Sequence, residues 1–181
     1  MITELAENFA KEKHSGQIRK LQNEPYFNHV ERVSKILKEN KKSHAINELV
    51  AAALLHDTLE NTNTNEKELV DNFGELITSI VKELTTNKEE TKKVGKDNYL
   101  AEKMSDPKKM SSWALAIKLA DRLDNVSDLH KGTKEFRERY VNETNHILRT
   151  LEEKRKLTYT QQNLVQKIKD KIKEISALAG D

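Results

Sequence analysis

Five glycines and two prolines are all that interrupt 181 residues, and between them apolar residues return every three or four positions. That combination restricts the chain to helices. Sandwiches and barrels turn sharply about every ten residues and need more Gly and Pro than are present. The same scarcity removes glycine-rich phosphate cradles, since neither GxGxxG nor GxxxxGK[ST] occurs. Leu, Ile, Val and Phe supply 44 residues, about 24% of the chain. With a formal net charge of only +2, that is enough to build a core rather than a disordered coil. The length fits one domain over 1–181. An all-α fold is the expectation.

The absence of cysteine excludes disulfides, thiolate metal sites and thiol catalysis, and it suits a reducing, cytoplasmic compartment. Met1 to Ala10 has polar residues too frequent for a signal peptide, and no apolar run reaches the length of a membrane span. With 32 basic and 30 acidic residues interspersed, an extended nucleic-acid surface is not expected. A small-molecule partner fits better, for a chain that is a monomer or a homodimer.

The spacing predicts a first helix capped by Thr3, then a polar loop over Ser15–Glu24. A second helix opens at Pro25 and carries Tyr26, His29, Val30, Val33, Ile36 and Leu37. Ser43 is expected to cap a third, running to about Glu60. Asn61 to Asn65 reads as a polar breaker. Short helices follow over 66–72 and 75–85, with Thr86–Asp97 as a surface loop. Pro107 opens a buried helix containing Trp113, Leu115, Leu119, Leu123 and Val126. Two amphipathic helices, about 134–156 and 160–178, form a C-terminal tail closed by Gly180.

Three segments carry ligand-type side chains. In Ala51-Ala52-Ala53-Leu54-Leu55-His56-Asp57-Thr58-Leu59-Glu60-Asn61, an apolar run leads straight into His-Asp, and Glu60 follows His56 by four residues. Imidazole plus carboxylate binds Zn, Mn or Fe, although a helix end with an acid–His hydrogen bond would read the same way. In Ala116-Ile117-Lys118-Leu119-Ala120-Asp121-Arg122-Leu123-Asp124-Asn125, Asp121 ends a run apolar on nearly every side. A carboxylate there must be paired with Lys118 or Arg122, or bound to a metal. The third segment runs from Arg19-Lys20 to Pro25-Tyr26-Phe27-Asn28-His29, with His29 beside an apolar stripe. Its two cations can hold a phosphate or stack on a base, or simply be solvated. Taken together, His29, His56, Asp57 and Asp121 make a set of two imidazoles and two carboxylates that leaves positions open for water and substrate. Mn²⁺ or Fe²⁺ suits it. His14, His44, His130 and His146 read as surface or packing residues.

The ordered segments His14-Ser15-Gly16-Gln17-Ile18-Arg19-Lys20, Pro25-Tyr26-Phe27-Asn28-His29-Val30, Leu54 to Thr62 and Lys118 to Asn125 closely resemble the HD-domain hydrolases of the RelA/SpoT type. The nearest in kind are the small alarmone hydrolases similar to metazoan SpoT homologues. The resemblance covers about residues 1–150. It implies an HD-domain helical bundle holding one Mn²⁺ on His29, His56, Asp57 and Asp121, with Fe²⁺, Zn²⁺ and Mg²⁺ as alternatives. It also implies hydrolysis of the 3′-pyrophosphate of (p)ppGpp. Glu60 and its neighbour Asn61 occupy the water-activating positions, Arg19 and Lys20 flank the guanine, and Asn125 meets the ribose. Arg139 is a candidate phosphate contact. Two positions depart from the family: Asn61 stands where it usually has Asp, and Asp128 stands where it often has Thr, beside the base pocket. The same fold could also hydrolyse NADPH, another nucleoside polyphosphate or an RNA 3′ end. A weakened, alarmone-binding or toxin-neutralising protein is the reading that Asn61 favours.

Overall fold

The computed structural model describes residues 1–178, so Gly180, expected to close the last helix, lies outside the described residues. The chain runs α1 (Ile2–Lys13), β1 (Ile18–Arg19), β2 (Glu24–Pro25), α2 (Tyr26–Asn40), α3 (Ile46–Leu55), α4 (Thr58–Asn61) and α5 (Glu66–Leu84). It continues as α6 (Lys88–Val94), α7 (Lys96–Ser105), α8 (Ser112–Ser127), a 3₁₀ turn (Leu129–Lys131), α9 (Lys134–Lys154) and α10 (Tyr159–Leu178). The all-α expectation holds.

Two helices form the centre. In α3, Leu49 and every residue from Ala51 to Leu55 are buried, and α1, α2 and α5 pack around it. Its three alanines lie in the same buried cluster as Ala6 of α1, and small side chains on two packed helices let their axes approach closely. In α8, Ala114–Ile117, Leu119–Asp124 and Val126 are buried, with α2 and α10 packed against it. Because α2 touches both central helices, side chains from α2, the end of α3 and the middle of α8 converge on one point.

Several local expectations are corrected. Helix α1 begins at Ile2, so Thr3 lies inside its first turn rather than capping it. The predicted loop over Ser15–Glu24 contains a small antiparallel hairpin, Ile18 opposite Pro25 and Arg19 opposite Glu24. Ser43 sits before the third helix rather than at its cap, and its hydroxyl accepts from the Ala45 N–H (3.2 Å). That helix stops at Leu55 instead of reaching Glu60. There the His56 ring donates to the Ala53 carbonyl (2.7 Å) and the Thr58 hydroxyl to the Leu55 carbonyl (2.7 Å), taking backbone acceptors a continuing helix would need.

The two short helices predicted over 66–72 and 75–85 form one element kinked at Gly74, whose φ of +78° suits glycine. Thr86–Asp97 is not a loop. Asn87 caps α6 by accepting from the Glu89 and Glu90 amides, with acids in the first turn and Lys92 and Lys93 in the last. Helix α8 starts at Ser112, capped by the Ser111 hydroxyl, and Pro107 belongs to the preceding turn.

Candidate active site

The break between α3 and α4 turns the His-Asp pair outward from its helix. Asp57 takes φ −105°, ψ 0° and begins α4, so its carboxylate and the His56 ring point into one space. His56 Nε2 lies 3.2 Å from Asp57 Oδ2 and 3.9 Å from Asp121 Oδ1. His29 Nε2, from α2, lies 3.3 Å from Asp121 Oδ1 and 3.9 Å from Asp57 Oδ2. His29, His56 and Asp57 offer ligand atoms all within 4.8 Å of one another. Ligands about 2.1 Å from a divalent ion stand about 3.0 Å apart at right angles and about 3.4 Å apart at tetrahedral angles. The observed separations of 3.2–3.9 Å start between these values and extend about 0.5 Å beyond the larger one.

The donor set also has the chemistry a metal needs. His56 donates from Nδ1 to the Ala53 carbonyl, so in the neutral ring the lone pair lies on Nε2, a buried atom 3.2 Å from Asp57 Oδ2. His29 Nδ1 is 2.7 Å from Asp124 Oδ2, an arrangement that aims its Nε2 at the same space. The four expected residues are thus brought together from three helices.

Charge in the centre is distributed by contact. Burial draws His29 toward its neutral form, but the hydrogen bonds to Asp121 and Asp124, with the charges of Asp121 and Asp57, hold its pKa up to about 9. Burial raises Asp57, and the charge and hydrogen bond of His56 with the charge of His29 outweigh it, so the carboxyl sits well below its usual range. Asp121 is likewise depressed: burial opposes, and the Lys118 charge and the His29 hydrogen bond prevail. Lys118 Nζ is 2.9 Å from Asp121 Oδ2, so the expected Lys118 pairing exists alongside the metal-type geometry rather than instead of it. Arg122 turns away, to Glu143 (2.8 Å) and over the Tyr140 ring.

Beside the centre is a cavity of about 270 Å³ whose wall includes Arg19, Lys20, Tyr26, Asn125, Phe136 and Tyr140. The hairpin delivers Arg19, which donates to Asn125 Oδ1 (2.7 Å) and Asp124 Oδ2 (3.2 Å), so the guanidinium plane is held in place. The Asn125 amide donates in turn to Asp121 Oδ1 (2.6 Å). Asp128 does not itself line this cavity, although it lies 3.8 Å from Arg19, which does. Gln22 (3.0 Å) and Lys131 (2.8 Å) bind its carboxylate, with Arg32 at 3.5 Å. Arg139 does not itself line the cavity; it is exposed, with its guanidinium over the ring of Phe136, which does.

Glu60 Oε2 accepts from the Thr86 N–H (2.9 Å), and Asn61 Nδ2 donates to the Tyr26 hydroxyl (3.1 Å). A larger cleft, about 860 Å³, opens near Leu59 and Thr86 between α5, α6 and α7, but none of the four ligand-type residues lines it.

Asp124, Arg32, Tyr26 and Gln17 have roles that the sequence reading missed. Asp124 is buried and held by three cationic side chains, Arg32 (2.6 Å), Arg19 (3.2 Å) and the His29 ring. Its spacing of three from Asp121, on the same helix face, was the available signal. Tyr26, three before His29, donates to Asp57 Oδ2 (2.5 Å). His14 does pack, as expected, against the Tyr26 ring (centroids 4.8 Å apart).

Comparison with known proteins places this geometry. The HD-domain family matches residues 6–157. The guanosine-3′,5′-bis(diphosphate) 3′-pyrophosphohydrolase of Xenopus tropicalis is 39% identical over 131 residues, 72% of this chain and 70% of its own length. The human protein of that name is 36% identical, over 72% of this chain and 70% of its own length. The enzyme of that activity from Aquifex aeolicus is 38% identical over 78% of this chain, which spans only 20% of that longer protein. A solved structure described as a metazoan orthologue of SpoT that hydrolyses ppGpp superposes with a TM-score of 0.79 at 29% identity, covering 96% of this chain and 94% of that one. With the fold, the motifs and the match over most of its length in agreement, the chain belongs to the HD-domain family.

Proposed function

We propose that this protein is a metal-dependent hydrolase of guanosine 3′,5′-bis(diphosphate), ppGpp, adding water across the 3′ O–P bond to release GDP and pyrophosphate. The observation that carries this reading is the convergence of His29, His56, Asp57 and Asp121 beside the cavity of Arg19, Lys20 and Asn125. A bound Mn²⁺ would acidify a water molecule and polarise phosphoryl oxygens. His29, His56, Asp57 and Asp121 would hold that ion. Glu60, with Oε2 tied to the Thr86 amide, would orient the water and take its proton. Arg19, its plane fixed by Asn125 and Asp124, offers its face to the guanine, and Lys20 stands at the exposed edge of the same cavity. Asn125 acts on substrate chiefly through Arg19, because its amide is bonded at both ends.

The test is to incubate the purified chain with Mn²⁺ and ppGpp, following pyrophosphate release beside parallel reactions with NADPH and GTP. Turnover of ppGpp is expected; metal-loaded protein that leaves ppGpp intact overturns the reading. A second reading, alarmone binding without turnover, is favoured only by Asn61, and tight ppGpp binding with no product would establish it.

Metal uptake should also depend on pH. His29 is raised to about 9, whereas Asp57 and Asp121 are depressed and remain ionised, so the proton a metal must displace near neutrality is that of His29. Apparent Mn²⁺ affinity is expected to rise about tenfold per pH unit from pH 6 to 8 and to level off near 9. Calorimetry in two buffers of different ionisation heat should count about one proton released at pH 7. A flat profile would show that His29 enters the complex already neutral.

A further inference from the structure

Asn61 would ordinarily be read as a catalytic acid that has been lost. Its contacts give it another role. Its side-chain amide donates to the Tyr26 hydroxyl oxygen (3.1 Å), and that hydroxyl donates its single proton to Asp57 Oδ2 (2.5 Å). Its backbone carbonyl accepts from Gln17 Nε2 (2.8 Å). The Gln17 side-chain oxygen Oε1 faces His14 Nδ1 (2.8 Å), and the His14 ring stacks on Tyr26 at 20° between planes. The bonds form a closed circuit around Tyr26, and its proton is directed to Asp57.

We propose that Asn61 is a positioning residue: as a neutral donor to Tyr26 it holds the Tyr26 hydroxyl on Asp57 and thereby fixes the Asp57 carboxylate as a metal ligand. The inference rests on the reading of Asp57 as a ligand. An ionised Asp at position 61 could only accept, so two carboxylates would compete for one phenolic proton. In this chain Asn61 supplies a donor where the family usually has an acceptor, and Asn61→Asp would replace that donor to the Tyr26 hydroxyl with a second acceptor.

The experiment measures Mn²⁺ binding to the full chain by the EPR signal of free Mn²⁺, and separately kcat on ppGpp at saturating metal. Tyr26→Phe is expected to weaken Mn²⁺ binding about tenfold, as loss of a hydrogen bond to a ligand commonly does. Asn61→Ala should weaken it about threefold, and the Tyr26→Phe/Asn61→Ala double variant no more than Tyr26→Phe alone. Asn61→Asp should lower kcat. Position 61 is exposed at the end of α4, so its variants leave the core untouched. A tenfold gain in kcat for Asn61→Asp at unchanged Mn²⁺ affinity would restore the lost-acid interpretation and overturn the proposal. Unchanged affinity in Asn61→Ala, or additive losses in the double variant, would overturn it as well. A wild-type chain that takes up no Mn²⁺ would overturn the metal reading beneath it, whereas normal wild-type binding with uncoupled variants would sink this inference alone.

Discussion

Asp57→Ala lowers the rate of pyrophosphate release from ppGpp by about 10³-fold or more at fixed Mn²⁺. A Lewis-acid contribution of about 4 kcal/mol to the transition state corresponds to that factor at 1.36 kcal/mol per decade. The variant removes one carboxylate from the proposed set of four ligands and leaves the Tyr26 hydroxyl without its acceptor. It should not unfold the chain. Asp57 sits at the break between α3 and α4, and like-charge repulsion from Asp121 in the metal-free state disappears with it. Circular dichroism should therefore stay helical while Mn²⁺ binding is lost. If the variant kept both its metal and its rate, the ligand assignment would be wrong.

Asp124→Ala acts one step further out, with an effect of comparable interest because no metal is touched. The carboxylate is buried with the His29 ring at 2.7 Å and the Arg32 guanidinium at 2.6 Å. Without it, His29 loses the acceptor that sets its ring orientation, and Arg19 loses one of the two contacts that hold its plane. Mn²⁺ affinity is expected to fall about 10–100-fold. Removing one partner from a buried charge cluster should also cost about 3 kcal/mol of stability, measured by urea unfolding of the metal-free chain. Asp124→Asn keeps an acceptor for His29 while losing the charge, so it should recover part of the metal affinity. Unaltered Mn²⁺ binding in Asp124→Ala would refute the orienting role.

The cluster of His29, His56, Asp57 and Asp121 was legible in the sequence because its members lie in short local signatures. His56-Asp57 follows an apolar run, Asp121 ends another, and His29 lies three residues after Tyr26 on the same helix. The outer shell was not legible, since its bonds join distant positions. Arg19 and Asp124 are 105 residues apart, and Glu60 reaches Thr86 across 26. The break at His56 was hidden for a different reason. Residues 58–61 can follow α3 as helix, and the side-chain bonds to Ala53 and Leu55 that stop it depend on three-dimensional placement. Helix α6 escaped notice because it lacks an apolar stripe, although Asn87 and its flanking charges were readable as caps.

That last helix has a consequence for the chemistry. None of the residues of α6 is buried, so little hydrophobic free energy opposes its melting, and its amides should exchange with solvent well before those of α3 or α8. Thr86, whose N–H holds Glu60, lies two residues before it. The orientation of the proposed proton acceptor therefore depends on backbone that adjoins a helix with no buried residue. Glu60 can lose its anchor without any loss of the core that places His29, His56, Asp57 and Asp121.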